Sequence, residues 1–264
     1  MLGIGQITTR IAELIRGALP YAIVNNDPNA SRFARLVAYT TVQQAVDANH
    51  MWIKVAPGEY PGFTADVANM VIEGSWDSFI NGGTTSHGIT ITANGVVIRG
   101  LKIGTTAGGG NNYDAISIGN SADEGQIIGC YIPDCDRYAI EIGSACVYWQ
   151  IMYNKVDGAD DSGMYADSTN GTLFLGNQID AVGGYGMQVG HDACCVGNRV
   201  GGGSNHGFYG DGKTRPVVVG NRAETSANDL QFASATDVLI VANLYGGTIA
   251  TSGSSGTITA NENY

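Results

Sequence analysis

The sequence is poor in charge, in basic residues and in long apolar runs. Charged residues make up 14% of the 264 residues, with 13 Lys or Arg against 24 Asp or Glu. Binding of phosphate backbones needs clustered cations, so the net charge of −11 argues against a nucleic-acid partner. No apolar run approaches the ~20 residues of a membrane span. Hydrophobic residues nevertheless reach 44%, which is too many for a disordered chain and enough to form a substantial core.

Signals for targeting and for cross-linking are also missing. The first twenty residues lack the charged start and continuous apolar core of a secretory signal peptide. Their apolar positions, from Ile7 to Leu19, recur at helical spacing and predict a short docking helix. The five cysteines are odd in number and include no Cys-x-x-Cys pair, so we expect reduced thiols rather than disulfides or a zinc site. We expect no cofactor and no bound metal.

What the sequence does contain is 39 glycines and a repeated phrase. LFLGNQI (173–179), CCVGNRV (194–200) and VVVGNRA (217–223) each place an apolar run and a small residue before an Asn. The Asn recurs every 18 to 23 residues. It occupies Asn154, Asn177, Asn198, Asn221, Asn243 and Asn261. A unit this short holds two or three strands and no helix, so successive units must stack to bury a core.

A parallel β-solenoid with coils ~4.8 Å apart satisfies this pattern. We predict that the Asn stands at a tight corner in the left-handed conformation, with its amide bonded to the Asn above and below. The Gly or Ala before it would keep the inside of the corner uncrowded. The strand that ends at this Asn is called the corner strand below.

This pattern resembles the right-handed parallel β-helix proteins of the pectate-lyase-like superfamily, which includes phage tailspikes and has an Asn ladder at one bend. The resemblance covers roughly residues 40–264. It implies that TTVQQAVDA (40–48) is the capping helix and MWIKVAPGEY (51–60) the first strand and turn, with residues 1–39 as a lead-in or anchoring segment. The expected fold is all-β, a single-stranded right-handed parallel β-helix. The fold hosts lyases, hydrolases, esterases and adhesins, so it assigns no activity.

Alternation along the corner strand separates an inward column, from Ile98 to Ile258, from an outward one. The outward column is apolar as well, which a monomer would not expose over six coils. It contains Ile128, Met152, Leu175, Val196, Val219 and Val241, together with Leu173, Val217 and Leu239. These residues predict a subunit interface, for which a homotrimer is the natural arrangement in this fold. Coverage by residues 1–39 is the alternative.

The outward column that follows the corner is polar and partly basic, beginning Lys102, Tyr131, Lys155. It predicts a solvated side of the solenoid, with binding of acidic glycans as the alternative.

A second phrase alternates with the first: DAISIG (114–119), YAIEIG (138–143), SGMYAD (162–167), YGMQVG (185–190), HGFYGD (206–211) and NDLQFA (228–233). Its outward side chains include Tyr165, Gln188, Tyr209 and Gln231, and its glycines would leave a shallow trough between them. Because tyrosine rings stack on sugars and amides bond to hydroxyls, this face predicts a glycan-binding groove. A plain half-polar strand face is the alternative.

Three carboxylates of this phrase, Glu141, Asp167 and Asp211, are candidates for catalysis. Glu141 and Asp167 fall one coil and two residues apart, or ~8 Å on the diagonal. Inverting glycosidases need ~6.5–9.5 Å between acid and base. A purely structural role is the alternative, and the lyase motifs of the superfamily have no residue-by-residue match.

Two functions remain open. The missing signal peptide, the apolar lateral face and the lead-in segment favour a structural or adhesive virion protein, such as a tailspike body or a capsid decoration. Its expected partners are its own copies in a homotrimer, other virion proteins through residues 1–39, and bacterial polysaccharide. The alternative is a glycoside hydrolase or lyase that acts in the groove of the second phrase, and non-classical export is the alternative to location on a virion.

Overall fold

The chain forms a parallel β-solenoid of about eight turns with three parallel sheets and very little helix, as the sequence predicted. The computed structural model describes residues 10–11, 13–15, 19–31, 34, 37–106, 112–202, 205–224, 228–259 and 261–263. Each coil contributes one short strand to each sheet in turn. The strand order within every sheet therefore follows the order of the coils.

The corner strands form an eleven-stranded sheet, sheet A. Its strands are β1 (Ala22–Val24), β2 (Trp52–Val55), β5 (Val71–Glu73), β8 (Val97–Arg99), β11 (Gln126–Ile128), β14 (Gln150–Met152), β17 (Leu173–Leu175), β20 (Cys194–Val196), β23 (Val217–Val219), β26 (Val238–Val241) and β29 (Gly256–Thr259).

The strands that follow the corner form the ten-stranded sheet B. They are β3 (Gly58–Pro61), β6 (Ser78–Asn81), β9 (Lys102–Gly104), β12 (Tyr131–Ile132), β15 (Lys155–Val156), β18 (Gln178–Ile179), β21 (Arg199–Gly201), β24 (Arg222–Glu224), β27 (Leu244–Tyr245) and β30 (Glu262–Asn263).

The second phrase forms the nine-stranded sheet C. Its strands are β4 (Phe63–Ala65), β7 (Ile89–Ile91), β10 (Ile116–Ile118), β13 (Ile140–Ile142), β16 (Met164–Tyr165), β19 (Met187–Gln188), β22 (His206–Tyr209), β25 (Asn228–Gln231) and β28 (Thr248–Ala250).

A short helix, α1 (Val42–Asp47), covers the start of the solenoid. Thr41 caps it, because its Oγ1 accepts a hydrogen bond from the Gln44 N–H at 3.2 Å. Val42, Ala45 and Val46 are buried, so the helix closes the end of the core that stacked coils would otherwise leave open. This is the helix expected within residues 40–48.

The lead-in segment is partly integrated into the solenoid. Ala22–Val24 pairs in parallel with β2 and begins sheet A, although these residues precede the division expected at residue 39. Residues 10–11 and 13–15 are helical, and Ile11 and Leu14 are 50% and 73% exposed. Ile7, also assigned to the docking helix, lies outside the described residues.

The core consists of the inward columns of the three sheets. The predicted column of sheet A is in register from Ile98 through Phe174 to Ile240, and each of these three side chains has no exposed surface. Ile258, on the last strand of the column, is 38% exposed. The alternation read from the sequence is therefore confirmed, and burial decreases only where no further coil covers the column.

The asparagines after sheet A form a continuous hydrogen-bonded series, called the asparagine column below. The Oδ1 of Asn198 accepts bonds from both the backbone N–H and the Nδ2 of Asn177, each at 2.9 Å. In turn, Asn198 Nδ2 donates to Phe174 O and to Asn221 Oδ1, both at 2.9 Å. The same contacts link Asn154, Asn177, Asn198, Asn221, Asn243 and Asn261. The first five of these asparagines are buried and their amides are hydrogen-bonded, as buried polar groups must be.

The expectation that these asparagines themselves are left-handed was wrong. The residue with positive φ is the preceding one, for example Gly197 at 62° and Gly220 at 63°. A Cβ on either glycine would meet nothing within 4 Å, so glycine is used here for its backbone conformation and not for lack of space. Tyr153 and Ala242 adopt the same conformation at 56°. The following Asn is thereby free to direct its amide along the solenoid axis.

Replacing Asn198 by Leu should lower the Tm. The change leaves the Asn177 N–H without a partner in a buried corner, at a cost of about 1–3 kcal/mol, and it also removes one bond to the Phe174 carbonyl. Asn29→Leu is the control, because Asn29 is exposed. Thermal unfolding followed by circular dichroism measures both variants, and equal Tm values for Asn198→Leu and the wild type would contradict the structural role of the asparagine column.

Candidate functional site

The outward side chains of sheet C form one row along the solenoid axis. Register pairs Ser117 with Glu141, Glu141 with Tyr165, and Tyr165 with Gln188. Tyr209 and Gln231 continue the row on the next two coils. The sequence thus predicted the neighbours of Glu141 in this row. We call these residues the sheet C row.

The glycines of the second phrase do not form a trough between these side chains. A Cβ on Gly163 would lie 2.6 Å from Ile179 Cγ2, and one on Gly186 would lie 2.1 Å from Val200 Cγ1. Both glycines are buried and face sheet B. Because they have no side chain, sheet C packs closely against sheet B inside the core. They leave no groove on the outer surface, so the predicted trough was wrong.

The tyrosines of the sheet C row are stacked and do not stand alone. Tyr165 packs on Tyr138 with ring centroids 4.6 Å apart and an interplanar angle of 8°. Tyr209 packs on Tyr185 at 4.6 Å and 28°. Each pair presents one combined aromatic surface, and the expectation of two isolated rings missed Tyr138 and Tyr185. Both residues occur at or just before the start of a second-phrase strand, where alternation no longer predicts side-chain direction.

Gln188 and Asp167 belong to a local network with Lys213. Gln188 is only 9% exposed, and its Nε2 donates to Asp167 Oδ1 at 2.9 Å. Lys213 Nζ lies 2.7 Å from the same oxygen. Burial alone would raise the pKa of Asp167, but the bonds from Lys213 and Gln188 outweigh burial and lower that pKa. Asp167 is therefore held ionised, while Gln188 has little surface for a ligand.

Glu141 belongs to a second network centred on Asp114, which has no exposed surface. Arg137 binds the Asp114 carboxylate with two nitrogens, at 2.8 and 2.7 Å, and its Nη2 also lies 2.5 Å from Glu141 Oε2. The Ser117 hydroxyl donates to the same Glu141 oxygen at 3.3 Å. A partly buried arginine therefore joins the buried Asp114 carboxylate to Glu141 of the outward row.

The two carboxylates of this network have opposite pKa shifts. Burial raises the pKa of Glu141, and the adjacent Asp114 carboxyl raises it further against the opposing charge of Arg137. Burial also acts to raise the pKa of Asp114, but hydrogen bonds from His87 and Arg137 outweigh it, so the pKa is lowered. Asp114 is thus the permanent anion of the pair, and Glu141 is the group that holds a proton more readily.

The structure brings Asp211 toward the following coil and away from the other two candidate acids. Its Oδ2 accepts a bond from Gln231 Nε2 at 2.7 Å, and its Oδ1 accepts one from the Ala233 N–H at 2.6 Å. Both oxygens of Asp211 are therefore engaged in holding the turn after the strand. The acid that joins Glu141 is Asp114, which the sequence reading did not select although it is the first residue of DAISIG.

The outward face of sheet A changes character along the axis. Near the start it is charged: Glu73 accepts bonds from Arg99 and from Trp52 Nε1, and Lys54 lies 3.7 Å from its carboxylate. From β11 onward it is mostly apolar, with Gln126 and Gln150 as polar residues on the first two of these strands. The nine predicted interface residues lie on this face and are all partly exposed: Ile128, Met152, Leu173, Leu175, Val196, Val217, Val219, Leu239 and Val241. We call this part the apolar face of sheet A.

Within the described ranges, no three His, Cys, Asp or Glu side chains are grouped to hold a metal ion, and no helix is long and apolar enough to cross a membrane.

Residues 64–223 match the family model described as the right handed beta helix region. No curated protein sequence matches the chain. The crystal structure of the Dettilon tailspike protein aligns with a TM-score of 0.65 and 13% identity, over 92% of this chain and 62% of that chain. Tailspike protein 3 of bacteriophage CBA120 aligns with a TM-score of 0.37 and 12% identity, over 89% of this chain and 56% of that chain. The chain thus spans less than two thirds of either solved protein.

Replacing Asp114 by Asn should destabilise the protein at neutral pH, because Arg137 loses the buried one of its two anionic partners and keeps only Glu141. Breaking a fully buried pair costs about 3–5 kcal/mol, and since the Arg137 side chain is 25% exposed we expect about 2 kcal/mol. The stabilisation is present above the ordinary aspartate pKa of 3.8 and disappears as the pH falls through the lowered pKa of folded Asp114.

Thermal unfolding from neutral to acid pH measures this effect, and Asp192→Asn is the matched control. Asp192 also binds an arginine through two nitrogens, at 2.6 and 2.8 Å, but that Arg215 side chain is 63% exposed. Exposed pairs contribute about 0–1 kcal/mol. A Tm difference for Asp114→Asn that equals the control, or that persists unchanged well below pH 3.8, would contradict the assignment.

Proposed function

Because this chain belongs to the right-handed β-helix family, we propose that it is the β-helical body of a tailspike-like virion protein that forms a homotrimer and binds bacterial polysaccharide. The observation that carries this proposal is the apolar face of sheet A. Its side chains are only partly buried over six successive coils, a length of about 29 Å at ~4.8 Å per coil. Continuous exposed apolar surface of this length is typical of a subunit interface.

A second copy of the chain is the occupant that we propose for this face. The strand of the lead-in segment, β1, does not cover this face, because it pairs with β2 and extends sheet A at its edge. The charged region formed by Lys54, Glu73 and Arg99 marks where the apolar surface ends. This region carries both signs of charge, so equivalent surfaces of three copies can approach one another without net repulsion.

Residues 1–39 serve in this proposal as the segment that attaches the body to other virion proteins. The support is the exposure of Ile11 and Leu14 on helical residues. Apolar side chains at this spacing form a stripe that another protein can bury. The same function places the protein on the virion.

The sheet C row is the proposed polysaccharide-binding surface. The stacked pairs Tyr138–Tyr165 and Tyr185–Tyr209 offer aromatic surface, and Ser117 and Gln231 add polar groups that can bond to hydroxyls. Arg137 lies 4.4 Å from the centre of the Tyr138 ring and Ser117 bonds to Glu141, so these two side chains are held in place, which limits the entropy lost on binding. Gln188 offers less surface to a ligand than Gln231 does, because only 9% of it is exposed.

Cleavage of the bound polysaccharide is the second candidate function. The observation that favours it is the opposite pKa shifts of Glu141, which is raised, and Asp167, which is lowered. Carboxyl groups whose environments separate their pKa values can act as acid and base in glycoside hydrolysis. In this mechanism Glu141 donates the proton to the leaving oxygen and Asp167 activates the water.

The double variant Leu175→Glu with Val219→Glu should dissociate the trimer into folded monomers. Two carboxylates per subunit on the apolar face would have to be buried without partners, which is strongly unfavourable. Sedimentation equilibrium at micromolar concentration measures the mass. The control is Gln178→Glu with Arg222→Glu, on the same coils but on sheet B. A wild type that sediments as a monomer would refute the assembly.

Replacing Tyr165 and Tyr209 together by Ala should weaken polysaccharide binding by about tenfold or more, since central aromatic anchors supply most of the binding energy of a site. A panel of bacterial polysaccharides tested by calorimetry measures the effect, with the exposed Tyr148→Ala as control. Unchanged affinity in the double variant would exclude the sheet C row as the site.

Glu141→Gln separates binding from cleavage, because an amide cannot transfer the catalytic proton. If the protein only binds, neither the wild type nor the variant releases new reducing ends. If it cleaves, the wild type releases them and the variant does not, while both retain affinity. Release that continues in the variant would remove Glu141 from the catalytic mechanism.

A further inference from the structure

Two exposed tyrosines stand at the two ends of one strand of sheet A. Tyr148 lies just before β14, at the corner that leads from sheet C into sheet A, and Tyr153 lies just after it, at the corner that leads into sheet B. The two residues are 62% and 59% exposed. All other tyrosines in the described ranges are buried or only partly exposed. The two rings therefore flank the apolar face of sheet A on one coil.

Both rings are held against the corners of the next coil. A Cβ on Gly171 would lie 2.8 Å from Tyr148 Cδ1, and a Cβ on Gly176 would lie 2.8 Å from Tyr153 Cδ1. These glycines stand before and after β17, which pairs with β14 in sheet A. The two contacts are thus equivalent, one at each edge of the face. Each ring has a fixed position there and remains exposed on its other side.

The apolar face is too narrow to form a subunit interface alone. Its strands contribute about three residues each, so at ~3.3 Å per residue the face is about 10 Å wide and, over about 29 Å, covers about 290 Å² in projection. Specific interfaces bury about 800 Å² on each partner. Surface beside the face must therefore be covered as well, and Tyr148 and Tyr153 are aromatic residues exposed at its two edges.

A three-fold arrangement brings these two edges together. When three copies turn sheet A toward an axis parallel to their solenoids, the three faces form the sides of a triangle. All strands of sheet A run in the same direction, so the end of a strand in one copy meets the start of the same strand in the next. Tyr153 of one copy then lies at the height of Tyr148 of the next, because both residues belong to the same coil.

The dimensions of the face fit this closure. With five residue steps from Tyr148 to Tyr153, the triangle has sides of about 16 Å and its axis lies about 5 Å from each strand. Side chains such as Met152 and Leu175 span that distance from the strands and would fill the centre.

The corner after sheet A is otherwise free of large side chains on the described coils around Tyr153. Its residues there are Gly129, Gly176, Gly197, Gly220 and Ala242. A neighbouring copy can therefore approach this edge closely along several coils, and Tyr153 is the ring that projects from it toward that copy.

We propose that Tyr153 of each copy packs on Tyr148 of the next, so that three identical ring pairs close the seams where adjacent subunits meet. The inference rests on the homotrimer of the proposed function and adds the contact that sets the height of one copy against another. A shift by one coil in either direction would place Tyr148 opposite Gly129 or Gly176 and break the pair. Because each seam joins two different residues, the contact is heterologous and closes into a ring of three.

The test is photo-oxidative cross-linking of the full chain at micromolar concentration, which joins tyrosine rings in contact as dityrosine. Denaturing electrophoresis should show covalent dimers and trimers of the wild type. Tyr148→Phe and Tyr153→Phe keep the ring and remove the phenol that dityrosine requires. Each variant should therefore still sediment as a trimer but lose the covalent products.

Tyr165→Phe is the control, because Tyr165 stacks on Tyr138 of its own copy and the change should leave the covalent products as they are. Tyr153→Ala removes the ring and should raise the dissociation constant of the trimer by about tenfold or more, since aromatic anchors supply much of the binding energy of an interface. Affinity for polysaccharide per subunit should not change in Tyr148→Ala or Tyr153→Ala, since the sheet C row lies on another sheet.

The outcomes separate this contact from the assembly on which it rests. A wild type that sediments as a monomer would refute the homotrimer and the ring pair with it. A trimer that forms no dityrosine between copies would overturn the ring pair alone. Covalent products that persist in either phenylalanine variant would do the same.

Discussion

Most of the solenoid depends on the need to satisfy the side-chain amide of an Asn at each of six successive corners after sheet A, from Asn154 to Asn261. An Asn side chain there is surrounded by neighbouring coils, and its oxygen and nitrogen find partners only if the Asn of the adjacent coil stands directly in line. This requirement fixes the register of sheet A over these coils. Two residues lead from each of these corner strands into the next strand of sheet B, so the register of sheet B is fixed there as well. A slip by one residue would reverse every inward and outward side chain, so both the core and the surface columns follow from the same constraint.

A fixed register also explains why the surfaces differ so clearly from one another. Outward positions on successive coils lie one above another, so a preference for one residue type is repeated into a continuous strip. On sheet A, an apolar strip follows the charged region around Glu73. Sheet C carries a polar and aromatic row, and sheet B carries a strip of aromatic rings and lysines. Several of the described ion pairs join one coil to the next, as in Arg137 with Asp114 and Arg215 with Asp192.

The features that could be predicted from the sequence are those that repeat with the coil. The Asn spacing predicted the solenoid, and alternation predicted the inward column through Ile151 and Phe174. The features that could not be predicted lie in the turns between sheets B and C. These turns vary in length, so the position of Arg137 beside Asp114 and the stacking of Tyr138 on Tyr165 depend on backbone paths that no repeat specifies. The role of Gly163 and Gly186, which face Ile179 and Val200, was predicted wrongly. A glycine has no side chain, so the sequence does not show whether close packing inside or open space outside requires it.

The asparagine column makes the coil the natural unit of change in length. Each Asn presents the same acceptor to the preceding coil and the same donor to the next, so Asn177 and Asn221 could bond to each other if the coil between them were removed as a whole. Loss or duplication of one complete repeat would then preserve the core and change the surfaces in steps of ~4.8 Å. A partial insertion within sheet A or its corner would break the series. Evolution of this scaffold is therefore expected to proceed by whole repeats, while insertions of other lengths accumulate in the turns between sheets B and C.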